Sequence, residues 1–89
     1  MTKFVIIWSL ESTQDLNKIR NNISESKLKE ILFAPKQLIF GEQYQIDQYR
    51  GDCRRILIGN YKILYQFSEN RVSVIRIINS LHDLIKNLL

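Results

Sequence analysis

The stretch from Cys53 to Ile78, CRRILIGNYKILYQFSENRVSVIRII, leaves this chain few folds to choose from. It divides into three runs of β-forming residues separated by turn residues. Ile56-Leu57-Ile58 leads into Gly59-Asn60, a pair that closes a two-residue hairpin because it tolerates positive φ. Tyr61 to Phe67 follows. The period of two puts Tyr61, Ile63, Tyr65 and Phe67 on one face and Lys62, Leu64 and Gln66 on the other. Ser68-Glu69-Asn70 marks a second turn, and Arg71 to Ile78 returns as a β-branched run through Val72, Val74, Ile75, Ile77 and Ile78. The pattern predicts an antiparallel three-strand meander.

The residues before it supply a strand and two helices. Lys3 to Trp8 (KFVIIW) is short, β-branched and aromatic, which predicts a first strand. Ser9 or Ser12 then caps a helix, and Ser12 to Asp15 has the form of a capping box with Asp15 in the acidic position. Leu16, Ile19 and Ile23 fall on one stripe of that helix. A second helix is expected from Ser24 or Ser26, with Leu28, Ile31 and Leu32 inward, ending before Pro35. Lys36 to Tyr49 gives the weakest signal; Leu38-Ile39-Phe40 is apolar enough to be anchored. At the far end Leu81, Leu84, Ile85 and Leu88 recur at helical spacing, so a short amphipathic helix follows the meander and should bury its stripe on the sheet or at a partner. The expected fold class is α+β: a helical hairpin packed on a small antiparallel sheet (β-α-α-β-β-β) with a short C-terminal helix.

A chain of 89 residues, 45% hydrophobic and 25% charged, has the length and composition of one globular domain, expected to span 1–89. No apolar run approaches the roughly 20 residues of a membrane-spanning helix. One cysteine, Cys53, cannot form an internal disulfide, which fits a cytoplasmic location. The net charge of +4 is unevenly placed. Residues 1–49 are balanced, whereas residues 50–89 hold Arg50, Arg54, Arg55, Lys62, Arg71, Arg76 and Lys86 against Asp52, Glu69 and Asp83. A basic meander suggests an acidic partner, nucleic acid or polypeptide.

Metal and cofactor chemistry has no footing: one Cys and one His make no tetrahedral site, and Gly41, Gly51 and Gly59 stand too far apart for a phosphate loop. Neither a metal nor a cofactor is expected.

The segment YRGDCRRILIGNYKILYQF, followed by a charged turn and RVSVIRII, resembles the C-terminal half of the RelE/ParE superfamily of bacterial type II toxins. Tyr61-Lys62-Ile63-Leu64-Tyr65 matches the superfamily's aromatic-basic-aliphatic-aliphatic-Tyr strand, and Glu42 to Tyr49 (EQYQIDQY) resembles the linker of one branch. The resemblance implies a plasmid-stabilisation type of growth inhibitor with a cognate antitoxin as partner. Two targets follow from it. RelE-like members cleave mRNA on the ribosome by activating a 2′-hydroxyl against the adjacent phosphate, which needs cations and a proton carrier. ParE-like members bind DNA gyrase and need no nuclease site.

By position, Arg54, Arg55 and Lys62 correspond to the superfamily's basic site residues, and His82 to a second basic residue after the last strand. Leu81 stands where an arginine is common, a departure that weighs against RNA cleavage. Each candidate also has a plainer reading. Arg54 and Arg55 are adjacent and point to opposite faces, Lys62 could be an exposed strand lysine that blunts edge association, His82 could be solvated, and Arg76 should pair with an acid or reach solvent. Tyr61 and Tyr65 read as packing residues. The expected function is the toxin of a toxin–antitoxin pair. The alternative is a non-toxic or decayed module that keeps the fold and the antitoxin contact.

Overall fold

The structure, a computed structural model, describes residues 4–89; Lys3, the expected start of the first strand, lies outside them. Strand β1 (Val5–Trp8) precedes helix α1 (Leu10–Ile19) and helix α2 (Glu25–Phe33). Short 3-10 turns follow at Ala34–Gln37 and Gly41–Gln43, then β2 (Arg54–Ile58), β3 (Tyr61–Ser68), β4 (Arg71–Asn79) and helix α3 (Ser80–Leu88). The sheet order is β1-β4-β3-β2. The expected meander is present, with β2–β3 and β3–β4 antiparallel. β1 joins it parallel to β4, so the complete sheet is mixed.

Local chemistry accounts for the element ends. Ser9, not Ser12, caps α1: its Oγ accepts from the Ser12 N–H at 3.0 Å. Ser12 lies inside the first turn and is fully buried, and Asp15 is not a capping-box acid. Asp15 instead reaches across to β4, where it accepts from the Ile77 N–H at 3.0 Å and from Arg76 at 2.7 and 3.0 Å. Ser24 caps α2, which stops at Phe33 as the chain enters the turn holding Pro35. Gly59 has φ 57°, which suits the β2–β3 hairpin. The second hairpin is tighter than expected: Ser68 belongs to β3 and pairs with Arg71, leaving Glu69-Asn70 as the turn, with Glu69 at φ 54°.

The tyrosine face of β3 meets the helices. Ile63 and Tyr65 join Ile56, Val72, Val74 and Ile77 of the sheet and Ile31, Ala34 and Leu38 of the helical layer in one core. Leu16, Ile19, Ile23, Phe4, Ile6 and Trp8 pack against it. Of the Leu38-Ile39-Phe40 run only Leu38 is anchored; the other two side chains are exposed. Tyr65, fully buried, donates its hydroxyl to the Gly41 carbonyl at 2.8 Å. Gly41 in turn lies flat against Phe67, where an added Cβ would sit 2.2–2.4 Å from the ring carbons.

Between Leu64 and Tyr65 the β3–β4 register slips: Leu64 pairs with Arg76 and Tyr65 with Val74, leaving Ile75 as an extra residue in β4. Beyond Trp8 the outer edge of β4 pairs with no strand among the described residues. Backbone and side chain of the β1–α1 segment serve it instead: the Ser9 N–H donates to Val74 O at 3.0 Å, the Ser9 hydroxyl donates to Ile75 O at 2.8 Å, and Asp15 takes the Ile77 N–H.

The opposite face of the sheet is also covered. The segment from Asp47 to Cys53 folds across it, and the first turn of α3 returns over its end, so Leu64 and Lys62 are buried. The apolar stripe of α3 does not bury itself on the sheet: Leu81, Leu84, Ile85 and Leu88 are 57, 38, 47 and 74% exposed. Among the described residues no helix is long and apolar enough to cross a membrane.

Candidate functional site: a lysine between two aspartates

Lys62 was open to two readings from sequence, a phosphate-holding cation and an exposed strand lysine. The second is excluded by topology, because β3 is an interior strand and Lys62 is only 3% exposed. Its ammonium donates to Asp47 Oδ1 at 2.7 Å and pairs with Asp83 Oδ2 at 2.5 Å. The Tyr49 ring lies 5.1 Å from Nζ, presenting the π face that a cation favours.

Asp47 is held as firmly as the lysine. Its Oδ2 accepts from the Tyr49 and Arg50 N–H groups, both at 3.0 Å, and its own N–H donates to Cys53 O at 2.9 Å. This Asx turn folds residues 47–53 into a compact loop whose second oxygen is left for Lys62. Asp83 arrives from the other side, on the first turn of α3, which Asn79 caps by accepting from the Leu81 and His82 N–H groups. The Lys62 pKa is raised above the ordinary lysine value. Burial alone would lower it, but the hydrogen bonds and charges of Asp47 and Asp83 outweigh that. One ammonium between two carboxylates makes the cluster negative as a whole.

The remaining candidates are distributed around this cluster. Arg54 and Arg55 do lie on opposite faces. Arg54 donates to Tyr44 O at 2.8 Å and sits 5.8 Å from the Phe67 ring centre. It borders a groove of about 360 Å³ that Cys53, Gln66 and Phe67 also line. Arg55, on the Lys62 side, donates to Ile46 O at 3.0 Å and Gln45 Oε1 at 3.1 Å. Both guanidiniums are thus bonded to neutral acceptors, and among the described residues no carboxylate lies within 4.0 Å of either. His82 is exposed beside Asp83. Leu81, in the place of the superfamily's arginine, is exposed as well. Arg76 pairs with Asp15, and Cys53 is buried, with burial pushing its thiol pKa up.

Sequence reasoning missed Asp47 and Asp83 as partners of Lys62. No local pattern marks a contact 15 residues apart in sequence, with a loop, a strand and a hairpin turn between the partners. The nearest signal was Asp47 itself, an acid set between the aromatic residues Tyr44 and Tyr49.

Comparison with known proteins agrees with this architecture. No curated protein matches the chain. Among solved structures, the chromosomal ParDE toxin–antitoxin system from P. aeruginosa is similar at a TM-score of 0.67 and 14% identity, over 85% of this chain and 95% of that one. A copper-bound point mutant of a toxin from Helicobacter pylori is similar at 0.62 and 18% identity, over 89% and 97%. At such identities the likeness is one of fold. The family model of the ParE toxin of type II toxin–antitoxin systems, parDE, matches residues 6–84, from within β1 to the first half of α3. The chain therefore belongs to the ParE family of type II toxins.

Proposed function

We propose that this protein is the toxin of a two-component pair, neutralised by a cognate antitoxin, and that it arrests growth by binding DNA gyrase and not by cutting mRNA. The observation that carries the choice of target is the state of Lys62. A ribonuclease of the related branch uses such a cation to hold the scissile phosphate. Here the ammonium is enclosed and faces two carboxylates, so an approaching phosphate would meet net negative charge. Arg54 and Arg55 diverge to opposite faces, and Leu81 brings no cation to replace the family's arginine. That leaves a target-binding toxin in which Lys62 maintains the fold.

The test is induced expression with two separate readouts. Growth arrest should come with DNA breakage and loss of supercoiling activity by purified gyrase, while mRNA in a translating extract stays intact. Ribosome-dependent mRNA cleavage by the pure protein would overturn the choice of target. Normal growth on expression would instead favour a module that keeps the fold and antitoxin contact without toxicity.

A further inference from the structure

An amphipathic helix on a globular protein ordinarily turns its apolar side inward; α3 does the reverse. At about 100° per residue, Leu81, Leu84, Ile85 and Leu88 occupy one arc and Asp83 lies roughly on the other side of the helix. Asp83 is the residue that faces the protein: its side chain is 14% exposed and bound to Lys62, and α3 has no buried residue. Ser80 fixes the helix start, with its N–H and hydroxyl on Asn60 O at 2.7 and 2.9 Å. The ion pair thus holds the polar side of α3 down, and the leucine stripe is presented outward.

We propose that α3 is a presented docking helix, held inside out by the Lys62–Asp83 pair so that its stripe receives an apolar, acid-flanked segment of the antitoxin. This rests on the reading of the protein as an antitoxin-bound toxin. Charge complementarity selects the occupant. Leu57, directly across from Lys62 on β2, extends the exposed apolar surface on that face, and Arg55 follows two residues along the same strand. Among the described residues Arg55 on that face and Lys86 on α3 have no carboxylate within 4.0 Å. The surface therefore lacks carboxylates that a partner can bring. A second copy of this chain would bring the same cations. It could also offer only a nine-residue helix, far short of the roughly 800 Å² per partner typical of stable interfaces.

The experiment measures affinity for the purified product of the reading frame adjacent to the toxin gene. The variants are Leu81→Ser/Leu88→Ser, Asp83→Asn, and Ile39→Ser, the last an exposed apolar residue away from α3 in the fold. The double serine variant should bind at least tenfold more weakly with an unchanged melting temperature, because neither side chain is buried in the free protein. Asp83→Asn should weaken binding as well, with increased mobility of the α3 amides in hydrogen exchange. Ile39→Ser should stay within twofold of the parent. If the double serine variant binds within twofold of the parent, the docking role of α3 is wrong while the toxin–antitoxin reading stands. If the parent itself does not bind the neighbouring gene product, both readings fail.

Discussion

Replacing Lys62 by methionine keeps much of the side chain's volume and removes its charge, and the structure gives the size of the response. Asp83 sits on an exposed helix and can turn to water. Asp47 cannot: it is 2% exposed and fixed by the Tyr49 and Arg50 N–H groups. Removing one partner of a buried ion pair costs about 3–5 kcal/mol, and release of Asp83 places this case near the low end, about 3 kcal/mol. For a domain of this size that corresponds to a fall in melting temperature of about 12–24 °C. The second arm of the test is Lys62→Met combined with Asp47→Asn. The amide oxygen can go on accepting from the two backbone N–H groups through the position of Oδ2, and no buried carboxylate is left alone, so the double variant should recover at least half of the loss. Thermal unfolding followed by circular dichroism reads both. A Lys62→Met protein that melts within about 3 °C of the parent, or a double variant no better than the single, refutes the argument. The same reasoning bears on toxicity assays: loss of toxicity in Lys62→Ala is evidence about chemistry only if the variant is shown to be folded.

Three further outcomes follow from the structure. Gly41→Ala should destabilise by about 1–3 kcal/mol, because the new methyl falls on the Phe67 ring; an unchanged denaturant midpoint would show that the ring moves aside freely. Because the folded-state Lys62 pKa is raised, its contribution to stability is complete below the unfolded value of about 10.4 and is lost as pH rises through the folded one. Alkaline unfolding should therefore be shallower in Lys62→Met than in the parent, and parallel curves for the two would count against the assignment. Asp15→Ala should cost about 1–3 kcal/mol through the stranded Ile77 N–H and loosen the β4 end of α1, read as faster amide exchange at Ile77.

The meander was legible because its information is local. Gly59, the alternation from Tyr61 to Phe67 and the β-branched run after Arg71 each act over a few residues. The helices were legible for the same reason, through Ser9, Ser24 and Pro35 at their ends. The direction of β1 was not, since parallel pairing with the last strand is a property of the whole chain path. Asp15 misled for a related reason: an acid near a helix start suits the dipole, and only the path of β4 shows that it has a longer-range bond to make. Lys62 is the sharpest case. Its strand and face could be read from alternation, but its burial depends on Asp47 and Asp83, which reach it from a loop and a later helix. Leucine spacing gave the stripe of α3, yet which way that stripe turns is decided by a charge pair across the fold.

The bonds that Ser9 and Asp15 make to the end of β4 also bear on solubility. An open strand edge is a template on which another chain can extend the sheet, and a β-branched run such as Val72 to Ile78 is the sort of sequence that aggregates when left uncovered. Here the groups such an intruder would need, Ile75 O and Ile77 N–H, are already occupied by side chains too short to propagate pairing further. The carboxylate also places Arg76 at that rim, and a charge is what deters strand addition. In this chain a serine and an aspartate close part of the sheet against self-association.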